Sequence, residues 1–152
     1  MGYFQDINDT FSTAQAVTVT AMATNCIPTP ASATNPVVSP YNGASAPYVS
    51  VIVGTAATAV GDATVDIEVV TADTEANLAA STNILAGVKA VPKATLVAGY
   101  RVDLRLPEDG FRAVYGVRYT VATGPLTAGT FTSFVAPTIT VDRTYVDASA
   151  IL

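Results

Sequence analysis

This 152-residue chain carries twelve carboxylates, seven cationic side chains and one thiol, and it has no histidine. Lacking histidine, it lacks the commonest general base and the commonest transition-metal ligand. Ser-His-Asp and Cys-His nucleophilic schemes are excluded on that ground, and with one cysteine so is a structural zinc site. Two carboxylate pairs have spacings suited to acid–base work. Asp66 and Glu68 fall on one face of a strand, and Glu108 and Asp109 share a turn. A solvated strand face accounts for the first pair, with Arg101 or Arg105 as cross-strand partners. Turn chemistry accounts for the second. Asp62, Asp66 and Asp73 do not sit in a DxDxDG-type calcium loop. Cys26, flanked by Asn25 and Ile27, reads as a small buried apolar residue, because no histidine is present to lower its pKa. Lys89 and Lys93 have no SxxK partner, and the glycines assemble into neither GxGxxG nor a P-loop. The expectation is a protein that is not an enzyme, with no catalytic residue, metal or cofactor.

The remaining charges bound the partners. A net charge of −5, with no cationic residue before Lys89 and no Lys/Arg cluster, argues against nucleic acid and against anionic membrane surfaces. Arg101, Asp103 and Arg105 alternate against Val102, Leu104 and Leu106. They form either a wet strand face or an inter-subunit ion-pair row. Only 12% of residues are charged, about half the usual share, which suits a surface packed against other protein. The N-terminus has no basic region followed by an apolar one, and no run approaches the roughly 18 apolar residues that span a bilayer. Synthesis and folding in the cytoplasm are the expectation.

The elements that position these residues are strands. Val, Thr, Ile and Tyr recur in short runs punctuated by Gly and Pro. Residues 93–135 read as three strands and two turns. In the middle one Ala113, Tyr115, Val117, Tyr119 and Val121 share one face, and Val114, Gly116, Arg118 and Thr120 share the other. Eight strands are expected over 14–23, 25–28, 48–54, 63–72, 83–88, 94–106, 112–122 and 129–141. That number at that spacing predicts an all-β, single-domain sandwich or barrel. Residues 73–80 have the pattern of one or two helical turns with Asp73 or Thr74 as N-cap. The segment 27–47, with Pro28, Pro30, Pro36, Pro40 and Pro47, predicts a long extended loop. The sandwich is expected over 14–141, with arms at 1–13 and 142–152. The arms carry apolar residues that either dock on their own domain or bind another chain: Tyr3, Phe4, Phe11, Tyr145 and Leu152.

Two blocks resemble the jelly-roll capsid cement (decoration) proteins of tailed bacteriophages. One is Ala14-Gln15-Ala16-Val17-Thr18-Val19-Thr20-Ala21-Met22-Ala23-Thr24-Asn25. The other is Lys93-Ala94-Thr95-Leu96-Val97-Ala98-Gly99-Tyr100, followed by Leu104-Arg105-Leu106-Pro107, Tyr119-Thr120-Val121 and Thr127-Ala128-Gly129-Thr130. The chain departs from the family pattern in its Pro-rich loop and its arms. The resemblance implies a jelly roll, a homotrimer on the virion exterior, the major capsid protein as partner, and a role in bridging capsid subunits. The candidate contacts are Tyr3, Phe4, Phe11, Arg101, Arg105, Tyr145 and Leu152. The competing expectation is a surface-displayed or fibre-associated binding module, with Tyr41, Tyr48, Tyr100 or Tyr115 as an aromatic platform for carbohydrate.

Overall fold

In the computed structural model, residues 9–29 and 47–136 are described. Among them run nine strands: β1 (Thr10–Ala16), β2 (Ala21–Met22), β3 (Ile27–Pro28), β4 (Tyr48–Val53), β5 (Thr64–Ala72), β6 (Ile84–Pro92), β7 (Arg101–Arg105), β8 (Val114–Ala122) and β9 (Thr130–Ala136). One sheet has the order β1-β9-β4-β7. The other has the order β2-β8-β5-β6, with β3 also paired to β8. All pairs are antiparallel. If β2 and β3 are counted as one interrupted strand, the first strand pairs with the last, the second with the seventh, the third with the sixth and the fourth with the fifth. That is a long antiparallel hairpin rolled about a core, the jelly-roll topology.

Period-two alternation turns one face of each sheet inward. Val65, Ile67 and Val69 of β5 meet Tyr115, Val117 and Tyr119 of β8 there, facing Val49, Val51 and Val53 of β4 and Phe131 of β9, and all are buried. Each such side chain contributes about 1.5–3 kcal/mol relative to exposure. Phe11 and Phe111 make edge contacts with the Tyr115 ring at 5.6 and 5.3 Å. The polar atoms inside are satisfied by one another: Ser12, Ser133 and Tyr119 join their hydroxyls at 2.8, 3.0 and 3.2 Å.

Several sequence expectations are corrected here. The first strand starts at Thr10, so the N-terminal boundary at residue 13 falls inside β1. Phe11 is wholly buried and belongs to the core rather than to a contact arm. Bulges in β1 bring Phe11 and Ser12 inward in succession and erase the alternation that marks a strand. The expected strand 94–106 is a strand only over Arg101–Arg105, because 93–100 forms the connection before it. The outer face of the β2-β8-β5-β6 sheet is covered in part by a single 3₁₀ turn, Glu75–Asn77, with Thr74 at the N-cap position. Leu78 follows that turn and is buried against Val70 and Ala72. Tyr3, Phe4, Tyr145 and Leu152, and most of the Pro-rich loop, lie outside the described residues.

Candidate functional site

The strand order sends four connections, 17–20, 54–63, 93–100 and 123–129, to one end of the sandwich. Backbone hydrogen bonds lock them together. Leu126 donates to Thr18 at 2.8 Å, Thr127 to Thr58 at 2.6 Å, and Ala57 to Leu96 at 2.8 Å. The Lys93 ammonium donates to the carbonyls of Ala59 and Gly61 at 2.8 and 2.5 Å, so its charge is spent holding a loop. Gly99 and Gly124 take φ of 86° and 97°, which a side chain would strain, and so allow the tight turns. Leu96 and Leu126 plug the core from this end.

Their neighbours point outward. Val19, Val60 and Val97, one on each of three connections, are 60%, 97% and 52% exposed. Asp62 is the only charged side chain on the four connections besides Lys93. The opposite end is acidic. Its described connections, 73–83 and 106–113, carry Asp73, Glu75, Glu108 and Asp109 against Arg112. The sandwich therefore has a rigid neutral end studded with apolar side chains and an acidic end.

Between the ends, most of the charges form closed sets. Glu68, 1% exposed, stands opposite Arg118 on the outer face. Arg118 reaches it at 2.7 Å and donates its other arm to the carbonyls of Ala79 and Ser81. Lys89 approaches the second carboxylate oxygen at 2.5 Å. Burial pushes the Glu68 carboxyl up, but the hydrogen bonds from Lys89 and Arg118 outweigh it and leave its pKa below the ordinary value. Glu68 is thus no solvated acid, and its partners are Lys89 and Arg118 rather than Arg101 or Arg105. The expected pairing missed this because a direct β5–β8 register match is visible only once strand order is known. Gly87 sits across from Glu68, where a Cβ would lie 3.2 Å from its Cγ.

Arg101 binds Asp103 at 2.8 Å and Ser50 at 3.0 Å within its own sheet, while Arg105 is exposed. Both sit on β7, an edge strand. Cys26 is half-buried beside Val114 and Met22, and burial and then Glu75 push its thiol up, away from the reactive thiolate. Among the described residues no group of three or more acidic, cysteine or histidine side chains is placed to hold a metal. Tyr115 is buried and takes no part in a surface platform. The three valines carried no signal in the sequence beyond being apolar residues beside turn formers.

No curated protein matches the chain. A family model described as Bbp16 matches residues 11–135, which is nearly the span from β1 to β9. The chain belongs to the Bbp16 family.

Proposed function

We propose that this Bbp16-family chain is a structural virion protein, a cement protein that docks on the outside of an icosahedral shell and bridges neighbouring major capsid subunits. The neutral loop end, with Val19, Val60 and Val97 outward on hydrogen-bonded connections, is the observation that carries the reading. A rigid surface loses little entropy on docking, and apolar side chains without competing charge gain from leaving water. The blocks that resemble cement proteins include the 17–20 and 93–100 connections and Thr127-Ala128-Gly129, which lie on this end. Trimerisation is part of the same reading. The sandwich leaves β1 and β7 as the edges of one sheet and β2 and β6 as those of the other; a neighbouring copy would cover the β6–β7 side, where exposed Arg105 lies on β7. Three copies of one weak site then act by avidity on a repeating lattice.

Co-sedimentation with purified shells that lack this chain tests the reading. The wild-type chain is expected to pellet with shells in a saturable way. Val60→Asp and Val97→Asp together are expected to weaken that binding at least tenfold with only a small fall in thermal stability, since Val60 is almost wholly and Val97 half in water already. Failure of the wild type to bind shells contradicts the cement role. Undiminished binding of the double variant contradicts only the assignment of the docking end.

A further inference from the structure

The acidic end holds a feature that shell binding does not use. An open cleft of about 330 Å³ lies between the β5–β6 and β7–β8 connections, lined by Asp73, Asn77, Ser81, Thr82, Asn83 and Arg112 with two alanines. Arg112 Nη1 donates to Asp73 Oδ2 at 2.9 Å, and the two side chains remain 43% and 35% exposed. Asp73 Oδ1 is shielded from water and has no partner among the described residues, so the carboxylate is under-satisfied as an acceptor. Among the described residues the side chains of Asn77, Thr82 and Asn83 also make no hydrogen bond. The exposed amide and hydroxyl groups of Asn77, Thr82 and Asn83 therefore line one small concavity beside the Asp73–Arg112 pair.

We propose that this cleft binds a neutral, hydroxyl-rich ligand the size of one sugar ring. The lining decides the class. A divalent cation needs several oxygen ligands, and here one carboxylate is already neutralised by a guanidinium 2.9 Å away. An anion would meet Asp73 beside Arg112, with Glu75 on the same connection. A largely polar wall offers an apolar ligand little. Adjacent hydroxyls suit an Asp–Arg pair, because each hydroxyl both donates and accepts. One donates to the Asp73 carboxylate and its neighbour accepts from Arg112, both as the stronger, charge-assisted kind of bond. Further ring hydroxyls meet the amides of Asn77 and Asn83. The volume is at the low end for small-molecule sites, which admits one ring and not a chain. With few contacts in an open site, the affinity is on the order of millimolar.

The test is independent of the shell. The ¹⁵N-labelled full chain is titrated with glucose, galactose, mannose and N-acetylglucosamine, and separately with calcium chloride and sodium phosphate, by two-dimensional NMR. At least one sugar is expected to give saturable shifts at Asn77, Thr82 and Asn83. Asp73→Ala is expected to weaken that binding at least tenfold. Asn83→Ala, whose side chain is exposed and unbonded, serves as a second variant and is expected to weaken it severalfold. Three results overturn the proposal: no saturable sugar response, saturation only by calcium or phosphate, or sugar shifts that neither variant diminishes.

Discussion

At the residue scale, Glu68 has the most to lose. It is a carboxylate held inside by two cations, and its pKa lies below its ordinary value of 4.5 because Lys89 and Arg118 outweigh the effect of burial. A depressed folded value means that the unfolded chain binds the proton more readily. The stability Glu68 contributes is therefore full above about pH 4.5 and is lost as pH falls through the folded value. Lys89 runs the other way: its raised pKa contributes stability at neutral pH that is lost as pH rises through the alkaline range. Glu68→Gln is expected to cost about 3 kcal/mol at neutral pH, because it leaves Arg118 short of its counter-charge. The gap to wild type should close in acid, where the native carboxylate is protonated too. Urea unfolding of both proteins between about pH 7 and pH 3 reads this directly; a gap independent of pH contradicts it. The Asp66–Glu68 spacing was legible in the sequence, but the partners were not. Arg118 lies fifty positions away, and only the β5–β8 register brings it opposite.

At the element scale, β6 shows how closely an outer strand must fit the one it flanks. Gly87 leaves room for the Glu68 side chain, and an added Cβ would also stand 3.2 Å from the Ile67 carbonyl. Gly87→Ala is therefore expected to destabilise by about 1–3 kcal/mol through crowding, measured by denaturant midpoint at unchanged m-value. A neutral or stabilising result means that β6 shifts to accommodate the methyl. Strands with clean alternation, β4, β5 and β8, were legible to within a few residues, because a one-residue slip would turn their apolar faces to water. β1 was not, since Phe11 and Ser12 turn inward together across a bulge. The strand order, too, is invisible in local pattern, because it depends on which distant strands pair.

At the scale of the whole molecule, the asymmetry of the ends makes sense of the low charge. Four connections meet at a rigid neutral end, and the carboxylates of the described loops, Asp62 apart, gather at the other. Three of the four exposed large apolar side chains stand at the neutral end and one, Ile84, borders the acidic end, an arrangement that suits a subunit pressing one end on a lattice and leaving the other in water. The sandwich was legible in strand spacing, but the neutral loop end proposed for docking was not. Val19, Val60 and Val97 are far apart in sequence, and only the rolled hairpin brings their loops together. As the proposed repeated component of a shell, this chain is expected in purified particles from the genome that encodes it at a copy number commensurate with the major capsid protein, on the order of hundreds per particle, as symmetric decoration requires; quantitative mass spectrometry of those particles reads it. Absence from the particles, or a copy number of about a dozen or fewer as for a fibre or a single vertex, contradicts it.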